Sequence, residues 1–235
     1  MDRRGSGRIF SNRASSGKRT GAAARCLGLT LAALFLLALG PAFAEDVDDW
    51  IAATPERYHQ TLRAGQEDPT FSAFREMCPA DVFRDLGRTP GGSRDCTDRP
   101  GWCLALCRTG QARACFGLAR AVEIELDVEG QATVKFPFFM AACAAGDANA
   151  CTNAGATATR GSWIAGTRPA VAEARECQVR TYETACTAQA PWGCYMLGAE
   201  WAQAGDTAKA RDAWQRVCDV DADGSACEAA RSQLD

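Results

Sequence analysis

The chain predicts an all-α fold, an α/α solenoid of helix pairs stapled by disulfides. Three observations predict it. Cysteines recur in pairs: Cys107 and Cys115 enclose RTGQARA, Cys143 and Cys151 enclose AAGDANA, Cys186 and Cys194 enclose TAQAPWG, and Cys218 and Cys227 enclose the longer DVDADGSA. The first members follow one another at steps of 36, 43 and 32 residues, which is the spacing of a structural repeat. Between them, apolar residues at Ala210, Ala213, Trp214 and Val217 follow the i, i+3, i+4, i+7 rule of one helix face.

Residues 1–44 have the order of an export signal. Arg3, Arg4, Arg8, Arg13, Lys18, Arg19 and Arg25 form a basic leader, and an apolar block over residues 26–39 follows. Gly40-Pro41 then breaks the block, and Ala42-Phe43-Ala44 supplies a small-x-small cleavage site before Glu45. The expected location is periplasmic or secreted. An uncleaved N-terminal anchor is the alternative, because the apolar stretch through Ala44 approaches the ~20 residues that span a bilayer.

Residues 45–100 read as an N-terminal helical cap or a divergent repeat. Trp50, Ile51, Tyr58 and Leu62 line one prospective helix face, and Phe71, Phe74, Met77 and Cys78 another. Glu45, Asp46, Asp48 and Asp49 suit a solvated helix start, where carboxylates meet the positive end of the helix dipole. Thr89-Pro-Gly-Gly-Ser-Arg-Asp95 is turn chemistry.

Residues 101–235 form the repeats. Each unit reads as helix, glycine-containing turn, helix and a short loop to the next helix. Phe139, Tyr182 and Trp214 stand four residues before a first cysteine, and Ala119, Gly155 and Gly198 stand four after a second. Small groups at those positions let two helices approach closely. The first cysteine ends one helix and the second opens the next, so a disulfide closes a loop of seven residues in the first three pairs. On the chain-entropy model each closure contributes about 2.5 kcal/mol. A repeat array needs such closures, because every unit buries its apolar face only against its neighbours.

Cysteine number fits the same compartment. Of thirteen cysteines, Cys26 leaves with the leader, and an even number in an exported chain predicts disulfides. Cys78, Cys96, Cys103 and Cys177 fall outside the regular pairs and allow three connectivities, with a bond expected among Cys78, Cys96 and Cys103. No Cys-x-x-Cys occurs and His59 is the only histidine, so no metal or haem site and no cofactor is expected.

These units resemble Sel1-like repeats, the short relatives of tetratricopeptide repeats, in their cysteine-rich exported form. That family pairs cysteines in an Ala-Cys-Asp-x-Gly-x-x-x-Ala-Cys loop, followed by a Leu-Gly-x-x-Tyr stretch. Ala142-Cys143-Ala-Ala-Gly146-Asp-Ala-Asn-Ala150-Cys151 and Cys194-Tyr-Met-Leu197-Gly198 are the best matches. Trp201 replaces the tyrosine, and residues 161–168 lengthen the second unit. The resemblance covers residues 101–235. It implies adaptors, regulators of envelope signalling or assembly factors, and also proteins that bind penicillins and hydrolyse β-lactams weakly.

The residues weigh against catalysis. A serine β-lactam enzyme needs Ser-x-x-Lys, and here that pattern occurs only at Ser15 to Lys18, inside the leader. Lys-Thr-Gly is absent, and one histidine cannot assemble a zinc hydrolase. Glu123, Glu125, Asp127 and Glu129 alternate with apolar residues and are expected to face water. Charge narrows the partners. Of 26 basic and 29 acidic residues, seven basic and one acidic precede Glu45, so 19 remain against 28, a net of −9. Such a surface opposes nucleic acid, and beyond the leader it opposes anionic membrane too. The expected function is an exported scaffold that binds another envelope or secreted protein, with no catalytic residues and with Trp192 as the candidate anchor. The alternative is a β-lactam or peptidoglycan-fragment binder with weak hydrolysis.

Overall fold

The computed structural model describes residues 42–87, 94–126 and 128–235, and every regular element among them is a helix. The prospective leader up to residue 41, most of the 89–95 turn, and Asp127 lie outside the described residues. Helix α1 (Ala42–Ala52) is followed by α2 (Glu56–Glu67), α3 (Pro69–Phe74) and the single turn α4 (Pro79–Val82). Pro55, Pro69 and Pro79 punctuate this stretch. Each stands where a helix begins, because proline carries no N–H to leave unpaired there and its φ is already helical. Asp48 and Asp49 fall in the second half of α1 rather than in its first turn.

Then come α5 (Pro100–Arg108), α6 (Ala112–Glu125), α7 (Ala132–Ala144) and α8 (Ala148–Arg160). A short α9 (Ala170–Glu173) precedes α10 (Arg175–Thr187), α11 (Pro191–Gln203), α12 (Thr207–Val220) and α13 (Ser225–Leu234). Apart from α9, each of these helices packs against the next, and all but α8 and α10 are joined by short connections. Left-handed residues end the helices at several of them: Gly110, Gly146 and Gly205 with φ of 80°, 89° and 79°, and Gln189 with φ 61°. Asp147 and Asp206 cap the helices that follow, each accepting a hydrogen bond from a backbone N–H three residues on.

Helix α7 is buried along almost its whole surface, as its sequence ATVKFPFFMAACA requires. Its neighbours are α6 and α8, together with α3 and α4 from the N-terminal segment. That segment does not simply add one more unit to one end. Helix α2 lies on α5, α3 on α7, and α4 on both α7 and α10, so it runs along several successive helices. The 161–168 stretch folds back onto the start of α7. Ala132 N donates to Ser162 O at 2.9 Å, and Ile164 N donates to Thr133 Oγ1 at 3.0 Å.

The apolar interior forms two clusters. One joins Tyr58, Leu62 and Phe71 to Leu118, Val122, Phe136, Phe138 and Phe139, and the other joins Tyr182, Leu197, Val217 and Ala226. The glycine register is legible in both. A Cβ at Gly155 would stand 2.9 Å from the Tyr182 ring, and one at Gly198 would collide with the Trp214 indole. Both rings come from the next unit.

Six cysteine pairs stand at disulfide distance. Cys107–Cys115, Cys143–Cys151, Cys186–Cys194 and Cys218–Cys227 have Cα separations of 4.6, 4.7, 4.4 and 4.7 Å. The remaining four cysteines form a short pair, Cys96–Cys103, and a long one, Cys78–Cys177, spanning 99 residues. This number of cystines belongs to an oxidising compartment. No helix among the described residues is long and apolar enough to cross a membrane.

Candidate partner-binding cleft

Where the N-terminal segment meets the cysteine-paired turns, it leaves a cleft of about 510 Å³. Phe71 and Phe74 of α3 and Ala141, Ala144 and Ala145 at the end of α7 give it an apolar floor. Cys107, Arg108 and Gly110 close one side, and Arg84 and Leu86 the other. Phe71 is held rigid by an edge-on contact with Phe138, with ring centroids 5.3 Å apart.

Two arginines stand at the rim. Arg108 Nε donates to Asp68 Oδ2 at 2.8 Å and its Nη2 to Ala64 O at 2.9 Å, so its guanidinium is fixed in place. Partial burial raises the Asp68 carboxyl, but the Thr70 amide and the Arg108 guanidinium outweigh it. The group ends below the ordinary aspartate value. Arg84 is exposed and has no ion pair among the described residues.

Residues 83–86 form the extended wall of the cleft, and its side chains alternate. Arg84 and Leu86 line this cleft, whereas Phe83 and Asp85 line a second hollow of about 580 Å³ beside α10. That period of two is the geometry of extended backbone. The wall crosses the α7–α8 turn at Gly146, where a Cβ would stand 3.0 Å from Arg84 O and 3.3 Å from Leu86 Cβ. Glycine is therefore needed at 146 twice, for its positive φ and for this crossing. Asp81 of α4 pairs with Arg180 of α10 at 2.7 Å, and both residues line the second hollow. A third recess, of about 300 Å³, lies beside Trp50, Leu126 and Val128.

The residues singled out from sequence are distributed as follows. Trp192 opens α11, 43% exposed, and lies edge-on against Tyr195 with centroids 5.3 Å apart, away from the linings of these hollows. His59 shares a hydrogen bond of 2.7 Å with Thr54 O, a structural role. Glu123 and Glu125 do not simply face water. Glu123 pairs with the buried Lys135 at 2.9 Å and with Arg120, and Glu125 pairs with Arg57 at 2.6 Å. They lie on helix α6, so alternation along the chain does not put both on one outer face. Among the described residues no group of three His, Cys, Asp or Glu side chains is gathered as a metal site.

Sequence reasoning missed the cleft. Its wall is a short run, Phe83 to Leu86, too brief to show a period between the Pro79 helix and the 89–95 turn. The one available signal was that this run is too short for a helix of its own. Comparison with protein-family models, with curated proteins and with solved structures finds no match to this chain.

Proposed function

We propose that this chain is an exported, Sel1-like helical-repeat solenoid that binds another envelope or secreted protein, with residues 1–44 as a leader cleaved after Ala44. The observation that carries this reading is the cleft: an apolar floor with two arginines at its rim, on a rigid, repeatedly cross-linked framework. Preorganised surfaces of this kind lower the ordering cost of association. The mature sequence supports binding over turnover, since its lysines, Lys135 and Lys209, stand in no Ser-x-x-Lys or Lys-Thr-Gly pattern. Trp192 offers a second, aromatic contact on α11.

The test places a photo-crosslinking amino acid at position 144 and, separately, at 192 in the exported protein. A discrete cross-linked protein at either position, absent at an exposed control such as Arg211, is expected. No cross-linked protein at either position would remove the scaffold reading, and so would robust hydrolysis of nitrocefin by the leader-free chain.

A further inference from the structure

We propose that the cleft between α3, α5 and α7 receives the carboxyl-terminal end of an extended peptide, its last apolar side chain on Phe71, Phe74, Ala141 and Ala144 and its carboxylate on Arg84. This inference rests on the scaffold reading and names the chemistry of the partner.

Three features carry it. The first is charge. Among the described residues Asp68 is the cleft's only acidic lining residue, and Arg108 and the Thr70 amide already engage it. The guanidinium of Arg84 is thus the unmatched charge at the mouth, on a mature chain whose net charge is −9. A planar guanidinium binds a carboxylate through two parallel hydrogen bonds. A long acidic segment would be repelled by the rest of the surface, whereas one terminal carboxylate is not.

The second feature is size and character. A volume of about 510 Å³ falls in the range of sites for compact ligands, and a mostly apolar lining with few polar groups suits a single bulky side chain. The third is the wall itself. The main-chain N–H and C=O groups of Arg84, Asp85 and Leu86 make no hydrogen bond among the described residues. Arg84 O faces the turn at Gly146, but the other unpaired groups of this exposed extended segment form a template for strand addition, in which an incoming peptide pairs main chain to main chain. Side chains of the incoming strand then alternate as those of the wall do, so one of every two points to the floor.

The probe is fluorescein-Gly-Ala-Ala-Phe with a free carboxyl, compared by fluorescence anisotropy with its carboxyl-terminal amide and with fluorescein-Gly-Ala-Ala-Ser. The protein is the exported chain with its disulfides intact. The free acid ending in phenylalanine is expected to bind at least about tenfold more tightly than the amide or the serine peptide, as for loss of a charge-assisted bond or an apolar anchor. Arg84→Gln should bring the acid down to the amide, and Ala144→Trp, which fills the cleft, should abolish binding. Arg84→Gln should melt with the parent, since Arg84 is exposed, whereas Ala144 is partly buried against the core, so Ala144→Trp is compared at a temperature where circular dichroism shows it folded. Equal binding of acid and amide, or an unchanged affinity in Arg84→Gln, overturns the proposal. Tighter binding of decanoate than of the peptide overturns it too, by making the occupant a lipid acid. If no peptide binds while cross-linking at 192 still captures a partner, this inference fails and the scaffold reading stands.

Discussion

Gln189 occupies a slot that two other turns reserve for glycine. Gly110, Gly146 and Gln189 each lie three residues after a first cysteine, and all three have positive φ. The left-handed region costs an L-residue roughly 1–2 kcal/mol through the approach of Cβ to the carbonyl, and glycine avoids this at an entropic cost of about 0.5–1 kcal/mol. Gln189→Gly should therefore stabilise the protein by up to about 1 kcal/mol in urea denaturation, and a loss of stability would refute the argument. Asp68 gives a pH test. Its folded-state pKa is depressed, so the folded chain binds this proton less readily than the unfolded one. The stabilisation is full above the ordinary aspartate value of about 3.9 and is lost as pH falls through the lower folded value. Asn caps a helix about as well as Asp, so Asp68→Asn isolates the ion pair with the half-exposed Arg108. It should cost about 0.5–1 kcal/mol at pH 7 and progressively less as pH falls through the lower folded value. Residues of this kind were partly legible. Glycines 155 and 198 announced close contacts because their aromatic partners recur in register, whereas the extended wall carries no repeat to betray it.

Among the elements, helices α5 to α8 and α10 to α13 follow from period and register, because the same cysteine and aromatic spacing recurs along them. The N-terminal helices do not. Their apolar faces, led by Tyr58 and Phe71, were visible, but which helices they cover depends on contacts between residues far apart in sequence. The Cys78–Cys177 bond shows the same limit, since a pairing across 99 residues leaves no local spacing to read. Loop length also separates the two kinds of cross-link energetically. On the chain-entropy model a loop of about 100 residues contributes about 4.7 kcal/mol, against about 2.5 kcal/mol for the eight-residue separation of Cys186–Cys194. Replacing Cys78 and Cys177 together by alanine should therefore lower the stability in guanidinium by more than replacing Cys186 and Cys194. The reverse order would show that strain or residual structure, rather than loop length, governs these cross-links.

At the scale of the whole molecule, two apolar clusters must fold as one body. Repeat arrays couple only through neighbouring interfaces, so cooperativity weakens wherever one interface is poor. Helices α8 and α10 pack on each other but are separated along the chain by the 161–168 stretch and α9, and at this junction one cluster, which reaches Ala185 of α10, gives way to the other within α10. The N-terminal segment bridges it. Helix α4 touches α7, α8 and α10, Arg180 pairs with Asp81, and Cys78–Cys177 closes the bridge covalently. Breaking that bond should then do more than lower stability. In the Cys78→Ala/Cys177→Ala protein, hydrogen exchange followed by mass spectrometry should show α11 to α13 opening at a lower denaturant concentration than α5 to α7, whereas in the parent both open together. Replacing Cys186 and Cys194 instead, with the bridge intact, should lower the protection of both regions together, since the molecule still opens as one unit. If the two regions still open together without Cys78–Cys177, the helix contacts across the junction suffice, and the bridge is dispensable for cooperativity.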